Sequence, residues 1–140
     1  MSDLKYDALN VGDELPEHSC GPITRATLAL YCGASGDHNP IHVDSDFAKK
    51  AGMPDVFAHG MLSMAYLAQI LTNWVEQSQI REYGVRFSAI TPVHATVSCK
   101  GKITEKLAID GEPCVKVKLV AQIDDGTTTL VGDAIIGFGS

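Results

Sequence analysis

The sequence predicts an α+β domain in which one antiparallel sheet curls around one long helix, and three observations predict it. Residues 59–76 carry Met61, Leu62, Ala65, Leu67, Ala68, Ile70, Leu71 and Trp74, which are apolar nearly all round a helical wheel. That pattern belongs to a buried helix rather than one laid on a surface. The segments 80–90, 95–105, 113–123 and 128–138 alternate in polarity or are rich in β-branched residues, as strands are. Turn signals separate them, at Thr91-Pro92, Asp110-Gly111 and Asp124-Asp125-Gly126. Strands that follow a single apolar helix must cover its apolar surface, which curls the sheet around it.

The elements follow in order. Residues 1–21 read as an extended lead-in with a turn near Val11-Gly12-Asp13. Thr24 is a good N-cap, and Ile23, Leu28 and Tyr31 share a face, so a short helix is predicted over 24–32. Residues 31–48 cannot continue as a helix or a central strand. Gly36 permits a tight turn, and Pro40 pushes Asn39 out of helical geometry. A second short helix is predicted over 45–51, ended by Gly52. In the third strand, Val115, Val117, Leu119 and Ala121 alternate with Lys116, Lys118 and Val120.

With 140 residues, 45% hydrophobic and 20% charged, the chain reads as one globular domain over 1–140, without internal repeat or linker. A net charge of −6 and a pI near 5.2 argue against nucleic acid or an anionic membrane as partner. The longest apolar stretch, 60–71, is too short to span a bilayer. Cys20, Cys32, Cys99 and Cys114 form no CxxC, which argues against a zinc ribbon or a thioredoxin-type site. The opening MSDLKYDALN has no apolar signal region. Free, mostly buried cysteines in a reducing cytoplasm are expected.

Chemistry concentrates in YCGASGDHNPIHVDSDFA, residues 31–48. Asp37 and His42 stand five positions apart on a stiff, bent loop. A carboxylate and an imidazole held together can take a proton from water and return one, the requirement for general acid–base chemistry near neutral pH. Taken singly, each has a plainer reading: Asp as a turn residue, His as a packed or surface side chain. His38, His42 and His59 raise the question of a metal. Pro40 prevents the helix on which His38 and His42 would share a face, so neither metal nor cofactor is expected. His94, after Pro92, reads as a solvated loop residue.

The whole string resembles the signature of the MaoC-like, or hydratase 2, group of hot-dog proteins. The matching residues are Tyr31, Ser35-Gly36-Asp37, His38 at the variable position, Asn39-Pro40, Ile41, His42 and Ala48. A second element of that family, His-Gly-Met-Leu after a small residue, stands at Ala58-His59-Gly60-Met61-Leu62. The resemblance implies a single hot-dog domain. The activity it implies is reversible syn hydration of trans-2-enoyl thioesters, of CoA or acyl-carrier protein, to (3R)-3-hydroxyacyl thioesters. Asp37 and His42 would be catalytic, and the backbone N–H of Gly60, at a helix N-terminus, would polarise the thioester carbonyl. Asn39 would brace the loop, and His59 would pack or cap the helix start.

Tyr31, Phe57, Tyr66 and Trp74 are candidate acyl-tunnel residues whose plainer reading is core packing. Arg86 and Lys49-Lys50 are candidates for substrate phosphates, with a solvated face as the plainer reading. The resemblance also implies a homodimer, or a heterodimer with a sister subunit. Two other classes compete. One is a non-catalytic partner hot-dog that shapes a tunnel. The other is a hot-dog thioesterase, for which the central helix offers only Glu76 near its far end.

Overall fold

The computed structural model describes residues 4–139; the first three residues of the lead-in lie outside them. Its regular elements are β1 (His18–Cys20), α1 (Arg25–Ser35), a 3-10 turn (Pro40–His42), α2 (Ser45–Lys50), α3 (Gly60–Thr72), β2 (Ile80–Phe87), β3 (Val97–Ile109), β4 (Glu112–Gln122) and β5 (Thr128–Gly137). The strands form one antiparallel sheet in the order β1-β3-β4-β5-β2. Alternation sends Cys99 and Ile103, then Val115, Val117, Leu119 and Ala121, then Leu130, Ala134 and Ile136 to the inner face, all buried. They meet Leu67, Ile70 and Leu71 of α3 in a single core. Each such leucine or isoleucine contributes about 1.5–3 kcal/mol through burial.

The β3–β4 hairpin closes on two residues. Ile109 pairs with Glu112, and Asp110 and Gly111 between them adopt left-handed φ values of 51° and 81°. This is the I′-type geometry for which Asp-Gly is favoured, and it carries β3 four residues beyond the predicted end at 105.

Other boundaries differ from the sequence expectation for local reasons. The helix predicted over 24–32 runs on to Ser35 and stops at Gly36, whose φ of 78° is the left-handed cap that turns the chain out. The helix predicted to reach 76 ends at Thr72, where Trp74 and Val75 both donate to the Leu71 carbonyl. Glu76 therefore lies off the helix and starts the next 3-10 turn. The strand predicted to reach 90 ends at Phe87 because Ser88 and Ala89 both donate to the Thr129 carbonyl, which breaks the ladder. β1 was hidden in the lead-in; three residues are too few to display a periodicity.

The central helix is buried along one side only. Met61, Ala65 and Gln69, spaced by four, face outward, with Met61 57% exposed. Residue types alone showed an apolar helix; the single sheet covers just the half carrying Leu67, Ile70 and Leu71. All four cysteines are free, with Cys32, Cys99 and Cys114 buried. His94 is exposed in its loop. Among the described residues no helix is long and apolar enough to cross a membrane.

Candidate active site

The loop after α1 is built by side chains that bond to their own backbone, as Ser, Asp and Asn do in turns. The Ser35 hydroxyl donates to the Tyr31 carbonyl and accepts from the Asp37 amide. Asp37 Oδ1 accepts from the Asn39 amide, and Asn39 Oδ1 accepts from the Ile41 amide at the start of the 3-10 turn. Pro40 opens that turn, where its fixed φ fits and its missing N–H costs nothing. The stiff loop expected over 31–48 is thus a helix end, a short turn and a helix start, and Asn39 is its brace.

This scaffold holds Asp37 Oδ2 3.9 Å from His42 Nε2, the carboxylate 53% exposed and the imidazole buried. His42 Nδ1 lies 2.7 Å from the Phe57 carbonyl oxygen. A carbonyl can only accept, so Nδ1 carries a proton; in the neutral ring Nε2 then has its lone pair toward Asp37. The Phe57 ring meets His42 edge-on at 5.3 Å.

His59 is 2% exposed and stacks on His42, ring centroids 3.7 Å apart. Its Nε2 lies 3.2 Å from the Asp37 carbonyl oxygen and 3.4 Å from Cys32 Sγ. Its Nδ1 has no hydrogen-bond partner among the described residues. Burial pushes its pKa below the ordinary histidine value, with the neighbouring His42 acting in the same direction and the Asp37 carbonyl and charge opposing. The side chain does not cap α3; the sequence expectation that it packs or caps misses its contact with both members of the pair.

Asp37, His42 and His59 each bring a ligand atom within 4.8 Å of the others. Ring geometry argues against their sharing an ion. The stacked rings are tilted by only 21°, so at 3.7 Å separation their planes meet on the order of 10 Å away, whereas a metal sits near the ring plane about 2 Å from nitrogen.

Gly60 begins α3, one residue after His59. The first helical bonds run from Leu62 and Ser63 to the His59 carbonyl, so the Gly60 N–H is one of the unpaired amides of a helix start. The Phe87 ring lies over it; a Cβ there would sit 2.9 Å from Phe87 Cε1. A cavity of about 370 Å³ opens beside Gly60, lined by Phe57, Ser63, Phe87, Thr91 and Leu130 among others. Ser63 and Thr91 are a buried hydroxyl pair, 3.3 Å apart. Sequence reading missed Phe87 and this pair; the one available signal was a polar Ser63 within an apolar helix.

Of the remaining candidates, Phe57 lines the cavity and Tyr31 meets the His59 ring edge-on at 4.7 Å. Tyr66 packs against the core, and Trp74 borders a separate groove with Leu4 and Leu9. Arg86 is not brought to the pair: it lies on the outer face of the sheet with Lys116, Lys118 and Asp133, because its neighbours Val85 and Phe87 take the inner positions. Lys49 and Lys50 are exposed at the end of α2.

One antiparallel sheet wrapped on one central helix, with a carboxylate and an imidazole beside the helix start, is the arrangement of a hot-dog domain. The MaoC like domain description matches residues 9–123, and the chain belongs to that family. It is 33% identical over 92 residues to the (R)-specific enoyl-CoA hydratase of Rhodospirillum rubrum, covering 60% of this chain and 62% of that one. It is 30% identical over 131 residues to the fatty acid synthase subunit beta of Saccharomyces cerevisiae, covering 91% of this chain and 6% of that one. The chain thus spans less than two thirds of the length of these relatives. The unliganded R-hydratase PhaJ1 of Pseudomonas aeruginosa superposes with a TM-score of 0.82 over 96% of this chain and 86% of that chain, at 24% identity; that likeness speaks to fold alone.

Proposed function

We propose that the chain is a hydro-lyase that interconverts trans-2-enoyl and (3R)-3-hydroxyacyl thioesters. One observation carries this reading: the ring nitrogen left free by the Phe57 bond, His42 Nε2, faces a carboxylate oxygen, Asp37 Oδ2, at 3.9 Å. The pair acts on one water. Nε2 takes a proton from that water as its oxygen bonds to C3, and C2 receives a proton from the same pair, so H and OH add to one face of the double bond. Dehydration runs the steps in reverse. The two groups titrate as a coupled unit. The thioester carbonyl accepts from the Gly60 N–H, which takes up charge as the enolate develops, a kind of contact worth about 3 kcal/mol of transition-state stabilisation. The cavity beside Gly60 receives the reacting end of the substrate.

The thioesterase reading lacks its carboxylate, since Gly60–Thr72 contains neither Asp nor Glu and Glu76 lies off the helix. A purely structural partner subunit would have no use for both Asp37 and His42. We place the working unit as a homodimer, with a sister hot-dog subunit as the alternative. Edge strand β2 leaves unpaired backbone groups, and Met61, Phe87 and Ile90 are exposed apolar residues near the site.

The test offers crotonyl-CoA, longer trans-2-enoyl-CoA substrates and a carrier-protein thioester to the purified chain. Hydration to the (3R) product is expected. A (3S) product, or thioester cleavage alone, overturns the proposal.

A further inference from the structure

We propose that His59 is the positioning residue that holds the carboxylate, the imidazole and the helix-start amide in one fixed arrangement. The inference rests on the acid–base reading of Asp37 and His42. Two contacts of the His59 ring and the place of its backbone carry it. Its face stacks on His42 at 3.7 Å, its Nε2 lies 3.2 Å from the Asp37 carbonyl, and its own backbone immediately precedes Gly60. Tyr31 closes on it edge-on at 4.7 Å, so the ring is fixed from the α1 side as well.

The tautomer follows from the partners. The Asp37 carbonyl can only accept, so Nε2 carries the proton and Nδ1 bears a buried lone pair without a donor among the described residues. Burial keeps such a ring neutral. A residue selected for packing alone would not carry that unmatched acceptor, because an apolar side chain of similar size would fill the site without it. What the imidazole adds is the Nε2–H bond to the main chain of Asp37 and a flat face for His42. Misplacing a reacting group by about an ångström is enough to cost orders of magnitude in rate, and this ring touches the His42 ring and the main chain that carries the Asp37 carboxylate.

Two variants of the whole protein separate positioning from packing. His59→Gln keeps an amide N–H at the reach of Nε2 and loses the ring. His59→Met fills the space and loses the donor. Both should melt as wild type does and keep nearly unchanged KM. The kcat should fall by at least about tenfold in His59→Met and by clearly less in His59→Gln. Wild-type kcat in His59→Met overturns the proposal. So does an equal loss in both variants, or a loss that tracks the folded fraction. A wild type without hydratase activity would instead overturn the functional reading. In that event nitrogen NMR of the folded protein decides: His42 ring resonances must shift in His59→Met, and unchanged His42 resonances reject the contact.

Discussion

His42 Nε2 stands 3.9 Å from Asp37 Oδ2, beyond hydrogen-bonding reach yet close enough for a single water to bond both. A water about 2.8 Å from each atom would see them at an angle of about 90°, within the range water accepts. That spacing suits a pair that shares a substrate water better than one that quenches itself in a direct ion pair.

Loss of either member should stop turnover without unfolding the chain. Asp37→Asn and His42→Ala are each expected to lower kcat by at least about 10²-fold. Asp37 is half-exposed on a loop, so its variant should melt as wild type does. His42→Ala gives up the bond to the Phe57 carbonyl, at a cost of about 1 kcal/mol. Steady-state kinetics beside thermal melts check both, and near-normal turnover in either variant removes that residue from the mechanism.

Gly60→Ala should act on catalysis more than on folding. The added Cβ meets the ring of Phe87, which is 54% exposed and free to swing aside, while alanine favours helix by roughly 0.5–1 kcal/mol. The methyl group crowds the approach to the amide. The expected result is unchanged urea stability with kcat/KM down by about tenfold or more; unchanged kcat/KM would exclude the amide as the carbonyl's partner.

Stability should fall as the pH drops into the mildly acid range, through His59. Its folded pKa lies below the unfolded value because burial disfavours the charge. The unfolded chain therefore binds the extra proton first, below about pH 6.5, and stability rises with pH across the window beneath that value. Urea midpoints between about pH 5 and 7 should slope upward in wild type and less so in His59→Gln. Asp55 and Glu112, whose pKa values are lowered chiefly by Arg25 and Arg81, add to acid sensitivity below about pH 5, where unfolded carboxylates begin to take up protons. An equal slope in His59→Gln would assign the effect elsewhere.

Both members of the pair come from one chain, so subunit exchange should not rescue them. Light scattering should give a dimeric mass. Mixing Asp37→Asn with His42→Ala protein should leave activity low, since each mixed dimer holds two damaged sites. Recovery toward roughly a quarter of wild-type activity, the value for random exchange with one restored site per mixed dimer, would mean that the pair forms across the interface.

The sequence by itself determined the parts that depend on near neighbours. Thr24 as a cap, Gly36 as a tight-turn residue, Pro40 as a bar to continuous helix, Asp110-Gly111 as a turn between strands and the alternation from Val115 to Ala121 all follow from local backbone and side-chain chemistry. The five-residue spacing of Asp37 and His42 was legible for the same reason. Only the tertiary structure decided what approaches from far along the chain. It stacked His59 on His42 across 17 positions, laid Phe87 over Gly60, buried Ser63 against Thr91, and turned Arg86 to the outer face. Those contacts are set by how α3 seats in the curved sheet and by which end of it meets the loop after α1. That seating is a property of the packed core, and no pattern within a short window encodes it.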